Sequence, residues 1–392
     1  MKVLSINAGS SSLKFQMYEM PEETVLISGT FERIGIDQSF YTIKINGEKI
    51  KKEVVLTNHE EAVRLLTEEL INHQVVKSLD EIEGIGHRVV HGGDKYAESI
   101  IIDDDVLSTI EDLIELAPLH NPANLVGIKA IAKVIPNAIS VAVFDTAFHQ
   151  TMPEDAYLYG TPYSWYHDFK VRKYGFHGTS HKFLANRLQT LLGKQDIKAI
   201  TCHLGNGASI AAINNGLSID TSMGFTPNAG LIMGSRSGDI DVTLVPYIMG
   251  KTGKDVNAVI NDLNKNSGYL GISGVGSDSR DIEDGIKAGN ERCILAQKMY
   301  IRRIVEYIAK YYVLLGGIDA ICFAGGIGEN SADTRKGVLD SLAVLGIKID
   351  EQANNVRSVE RLITTPDSSI PCYIIPTDEE VMIARDTFAF IK

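Results

Sequence analysis

KVLSINAGSSSLKFQMYEM, residues 2–20, reads as an apolar strand, a tight turn of small polar residues and a second strand. AITCHLGNGASIAAINNG, residues 199–216, follows the same plan: an apolar strand, an Asn-Gly turn and a strand of small residues. The two hairpins stand roughly 200 residues apart, the separation of two similar domains rather than of a short-period solenoid. Sequence identity between them is negligible, so the hint of duplication lies in the pattern alone.

Outward from the hairpins, strand and helix patterns alternate. HEEAVRLLTEELINHQVV (59–76) is amphipathic, with Ala62, Leu65, Leu66, Leu70 and Ile71 on one side. EIEGIGHRVV (81–90) and NAISVAVFDTAF (137–148) are apolar runs that end in polar residues, as strands do where they reach a site. After the second hairpin come a long helix pattern (291–315), a strand (DAICFA, 319–324) and a glycine loop opening a further helix (325–346). The chain ends on a strand and a helix (370–390). This is an α/β chain with sites at strand ends. No Pro-, Gly- or Ser-rich linker marks a boundary, and the pattern places one near residue 147.

A chain of 392 residues exceeds one ordinary core and implies two domains. With 44% hydrophobic and 22% charged residues it has the composition of a soluble globular protein. The net charge of -12 argues against general nucleic-acid binding and requires any anion site to gather its arginines locally. Cys202, Cys293, Cys322 and Cys372 have no CxxC spacing, and buried thiols in a reducing, cytoplasmic compartment are expected. MKVLSINAGSSSLKF reaches its turn too soon to hold a signal-peptide core. The most apolar run, YYVLLGGIDAICFAGGIG (311–328), is broken by glycines and Asp319, so no membrane span is expected.

Three loops are small enough to let backbone N–H groups approach a phosphate: Asn7–Ser12, His203–Gly207 and Gly325–Asn330. Taken singly, each is an ordinary turn; three at strand ends suggest a nucleotide. The commoner nucleotide motifs fail. Gly250-Lys251-Thr252 has the tail of a Walker A loop, but Val245 stands where glycine is required. Gly326-Ile327-Gly328 is followed by Ser331 instead of a third glycine. Strand-turn-strand loops on two duplicated domains are the other known way to hold ATP.

Nine strings occur in order: NAGSSSLKF (7–15), GHRVVHGG (86–93), APLHNP (117–122), VFDTAFH (143–149), YGFHGTSH (174–181), HLGNGAS (203–209), MGSRSGD (233–239), AGGIGEN (324–330) and PTDEE (376–380). In these the chain resembles the acetate kinase family over nearly its whole length. The resemblance implies membership of the sugar kinase, heat-shock chaperone and actin superfamily. It implies an α/β fold of two duplicated ribonuclease-H-like (actin-like ATPase) domains with an interdomain active-site cleft. One domain is expected at 1–147 plus 382–392, the other, nucleotide-binding, at 148–381. Three positions depart from the family's usual pattern: Ser279 for a larger residue, Gly325 for alanine, and Asp378 for asparagine.

The reaction implied is transfer of the ATP γ-phosphoryl group to acetate, giving acetyl phosphate and ADP, with Mg²⁺ or Mn²⁺ as metal and a homodimer as the assembly. Acetate is already ionised at pH 7, so its oxygen needs no general base. The obstacle is one anion approaching another, and arginine forks are the expected remedy. By resemblance, Arg88 holds the carboxylate and Arg236 braces the phosphoryl group; without it, either arginine reads as a surface ion pair. His177 is the implied hydrogen-bond donor to the transition state, with His120 secondary. His177 and His181 have zinc-motif spacing, but Gly178 occupies the place of the required glutamate. Asp145 matches the family's proton donor/acceptor, while the chemistry favours positioning of metal water or acetate.

Asn7 and Glu379 match the metal positions, an amide and a carboxylate suited to magnesium; Glu379 also reads as a helix N-terminal residue. Val90, Leu119, Phe176 and Pro227 match the pocket for the acetate methyl and otherwise read as core. Lys14, His203, Leu204, Gly205, Asn206, Gly207, Asp278, Ser279, Arg280, Gly326, Ile327, Gly328, Glu329 and Asn330 match nucleotide positions. Rival readings are a propionate or other short-chain carboxylate kinase, a nucleotide switch acting on a partner, and a dinucleotide-binding oxidoreductase.

Overall fold

The computed structural model describes residues 1–118 and 120–392. By packing, these divide into two compact units: Met1–Gln150 with Asp378–Lys392, and Thr151–Thr377.

In the first unit β1 (Lys2–Ala8), apolar and buried on both faces, pairs with β2 (Ser12–Glu19), whose first half alternates exposed and buried, as an antiparallel hairpin, Lys2 opposite Glu19 and Ala8 opposite Leu13. β3 (Thr24–Glu32), β4 (Phe40–Ile45) and β5 (Glu48–Glu53) continue it antiparallel. On the other side of β1, β6 (Ile82–Val89) and β8 (Ile139–Phe144) run parallel to it, and the two-residue β7 (Ile100–Ile101) closes the edge. Among the described residues the order is β5-β4-β3-β2-β1-β6-β8-β7.

The second unit repeats the plan. β9 (Lys198–Leu204), β10 (Ala208–Asn214) and β11 (Leu217–Thr221) are antiparallel. β12 (Ala320–Ala324) and β14 (Cys372–Ile374) run parallel to β9, with β13 (Arg361–Leu362) at the edge. In both sheets an antiparallel meander, β1 to β5 in the first and β9 to β11 in the second, joins through its first strand two further parallel strands. That shared order makes the chain a duplicated ribonuclease-H-like α/β protein.

Helices cover the sheets by their apolar stripes. His59–Asn72, capped by the Asn58 side chain on the Glu61 N–H at 3.0 Å, buries Ala62, Val63, Leu66 and Leu70 in the first core. Ile71, expected on that side, is exposed, because one residue of helical rotation carries it off the stripe. In the second unit Glu291–Leu315, capped by Asn290, buries Cys293, Ala296, Tyr300, Ile304, Ile308 and Tyr311 and packs on the helices Gly268–Ser273 and Ser279–Lys287 as well as on β9 and β10. The four cysteines are free and buried. The glycine loop expected to open a helix is itself one turn of helix, Gly325–Asn330; Ser331 ends it and caps the next, Ala332–Ser341. Among the described residues no helix is long and apolar enough to cross a membrane.

Candidate active site

Three parallel neighbours, β1, β6 and β8, end along one edge of the first sheet, and their last turns carry Asn7, Arg88 and Asp145. Ligands of open α/β sheets bind outside such carboxyl ends. Arg88 donates from Nε to Asp145 Oδ1 at 3.2 Å, pairs through Nη2 with Oδ2, and reaches Asn7 Oδ1 from Nη1 at 3.4 Å. Asp145 is 1% exposed, so the fork holds a desolvated carboxylate. Burial works against the charge on Arg88, yet Asp145 and Glu379 outweigh it and leave the guanidinium more firmly protonated than usual.

Glu379 opens the helix Glu379–Ile391, which Asp378 caps by accepting the Val381 N–H at 2.9 Å. Ser5 ties that helix to β1 by donating to the Glu380 carbonyl at 2.8 Å. Desolvation first, then the charge of Asp145, push the Glu379 carboxyl up to about 7, against the pull of Arg88. Lys14, half exposed on β2, pairs with Glu380. The cluster thus sets Asp145, Glu379 and Glu380 against Arg88 and Lys14, an excess of negative charge that suits a divalent cation. Val90 is buried two residues beyond Arg88, and His120 precedes the helix Asn121–Val134. Leu119 lies outside the described residues.

The second unit holds the other half of the expected set. His177 sits at the start of the helix Gly178–Leu192 in the left-handed conformation, φ 55°. Its Nδ1 is 2.9 Å from Ser209 Oγ, and its ring stacks on His203 with centroids 4.2 Å apart. Ser209 also meets His181 Nε2 at 2.7 Å, so His181 is a buried orienting group and no metal ligand is needed to explain it. Arg236 differs from Arg88. Among the described residues its acceptors are the Pro227 carbonyl at 3.2 Å and the Met233 sulfur at 3.7 Å, with no carboxylate. Burial therefore lowers its pKa. Arg236 Nη1 and His177 Nε2 both lie 3.5 Å from the point where Gly207 would carry a Cβ. Phe176 is buried beside His177, and Pro227 touches Arg236.

Gly205, Asn206, Asp278, Ser279, Arg280, Gly326, Ile327 and Asn330 line one cavity of about 650 Å³ in this unit. Gly234 makes the convergence feasible: a Cβ there would stand 1.8 Å from Asn206 Oδ1 and 2.7 Å from the Ser277 carbonyl. His203, Leu204, Gly207, Gly328 and Glu329 are not among its lining. The Leu204 side chain is core, and Glu329 accepts the N–H groups of Gly325 at 2.9 Å and Thr377 at 3.2 Å, holding the loop from behind. Sequence reasoning missed four lining residues, Ser277, Glu283, Ser331 and Arg357. Ser331 carried a readable signal, a serine just before a helix pattern; Arg357 carried none.

Residues 2–385 match the family model described as the acetokinase family. The chain is 56% identical, over the full length of both, to an acetate kinase of Bacillus subtilis strain 168. Two solved structures are similar. An acetate kinase of Porphyromonas gingivalis has a TM-score of 0.95 at 45% identity, covering 100% of each chain. A propionate kinase of Francisella tularensis has a TM-score of 0.94 at 40% identity, covering 99% of each.

Proposed function

This chain belongs to the acetokinase family, and on that premise we propose that it transfers the γ-phosphoryl group of ATP to acetate, reversibly giving acetyl phosphate and ADP. The observation that carries the reading is Arg236: a desolvated guanidinium without a carboxylate partner, aimed with His177 at the glycine turn Gly205–Gly207. Such a group is a phosphoryl brace in waiting.

The chemistry assigns the remaining roles. An acetate oxygen forms the new bond to phosphorus as the bond to the bridging oxygen of ADP breaks, in line, with no proton to remove. Arg88 holds the attacking carboxylate. Asp145, occupied by the Arg88 fork, positions that fork and is not a base. His177 donates from Nε2 toward the equatorial oxygens, its other nitrogen fixed by Ser209. The cavity lined by Asn206, Ser279 and Gly326 takes the nucleotide.

Asn7 and Glu379, an amide and a carboxylate, would suit a magnesium ion, which neutralises polyphosphate charge when bound. The buried Val90 beside Arg88 faces the methyl group, and since a pocket rejects an added methylene by only about 1–3 kcal/mol, propionate is a poorer substrate rather than an excluded one. Free, buried cysteines suit a reducing cytoplasm. Tyr163, Trp165 and Phe169 on the helix Tyr163–Phe169, and separately Val242 and Tyr247, are exposed apolar side chains of the kind a homodimer would cover; sedimentation at twice the 42.9 kDa chain mass is the expected result.

A hydroxamate assay for acetyl phosphate tests the activity directly. The wild type forms it from ATP and acetate, and Arg88→Ala loses about 10²–10³ in kcat/KM for acetate. Equal activity in the two proteins removes Arg88 from the site, and a better turnover of butyrate than of acetate removes acetate as substrate.

A further inference from the structure

The pairing of β1 with β6 runs from Lys2 opposite Ile82 to Ile6 opposite His87, and there it stops. Asn7 and Arg88, the next residues, are the ones assigned to the site. Beyond this point the sheet no longer sets the spacing of the two chains, and a side chain takes over. The Val90 N–H donates to Asn124 Oδ1 at 3.1 Å, and Asn124 Nδ2 donates to the Ala8 carbonyl at 2.8 Å. One buried amide therefore spans the two strand ends as a peptide group of an intervening strand would. Asn121, one step outward, holds the chain beyond β6 to a neighbouring helix: it accepts from the His91 N–H at 3.2 Å and donates to the carbonyls of His91 at 3.2 Å and Ile110 at 3.3 Å.

Asn121 and Asn124 are 0% and 3% exposed, so neither amide has water to fall back on. The helix Asn121–Val134 that carries them presses on β1 at a second place. A Cβ on Gly127 would stand 2.5 Å from the Ala8 Cβ, so the close approach needs glycine there. Asn124 and Gly127, three apart, share one face of that helix.

We propose that Asn124, supported by Asn121, is a positioning residue for the transfer, setting the distance between the Asn7–Ala8 turn and the Arg88–Val90 segment. The proposal rests on the reading of Arg88 and Val90 as the acetate site. Asn124→Asp preserves size and the acceptor for Val90, but loses the donor and sets an oxygen against the Ala8 carbonyl. Gly127→Ala perturbs the same contact from the other side without touching the amide.

Each folded variant is expected to raise the KM for acetate at least tenfold, while ADP affinity measured by calorimetry stays within twofold of wild type. A purely structural role lowers the melting temperature and the active fraction and leaves KM where it was, since KM does not depend on enzyme concentration. Wild-type KM for acetate in both variants overturns the proposal. A wild type that makes no acetate-dependent ADP instead overturns the functional reading on which it rests.

Discussion

Arg88 and Arg236 are the same residue type in opposite surroundings. Arg88 is neutralised by Asp145, whereas Arg236 is desolvated against a carbonyl and a sulfur. A half-buried cation with no carboxylate beside it is incompletely solvated, a state that an incoming anion relieves. Arg236→Ala is accordingly expected to lower kcat by about 10²–10³, or about 3–4 kcal/mol, with little loss of stability. Arg236→Lys restores the charge without the fork and recovers only part of it. Activity assays paired with melting curves check both. The motif strings named both arginines. They gave no sign of which one would be paired, because a counter-charge from a strand 57 residues away, as Asp145 is from Arg88, leaves no local pattern.

At the level of elements, helix starts do much of the placing. Glu379 stands where it does because Asp378 caps its helix and Tyr18 donates to the same cap at 3.3 Å. Losing such a cap costs about 1 kcal/mol. Asp378→Ala is expected to speed amide exchange in the first turn of Glu379–Ile391 about fivefold, and Asp378→Asn to leave it nearly unchanged; hydrogen exchange read by mass spectrometry tells them apart. The cap was legible as an Asp before a helical pattern. The roles of Asn121 and Asn124 were not, since their partners lie on segments far away in sequence and an Asn-Pro pair reads simply as a helix start.

For the whole molecule, buried imidazoles set the acid limit. Burial pushes His87 down to about 3 and His91 to about 4, from an ordinary value of 6.5. His87 Nε2 has no hydrogen-bond partner among the described residues. His91 Nδ1 accepts the Gly93 N–H at 3.0 Å, a bond that protonation there breaks. Both are therefore neutral in the fold while the unfolded chain protonates them near 6.5. Stability is full above that pH and falls as pH drops toward 4, by about 1.4 kcal/mol per pH unit for each ring. Denaturant melts between pH 7.5 and 5 are expected to show this decline, and His87→Asn a shallower slope; an unchanged slope in that variant assigns the acid limit elsewhere.

The sequence by itself determined the strand-turn-strand plan of both halves and the family, and it supplied the candidates for handling anions, because hydrophobic period, turn chemistry and motif strings are local properties of a chain. Only the tertiary structure decided which charges are neutralised, which loops share a cavity, and which side chain continues a sheet past its last ladder pair. Those depend on desolvation and on contacts between segments distant in sequence, energies that exist only once the chain has closed upon itself.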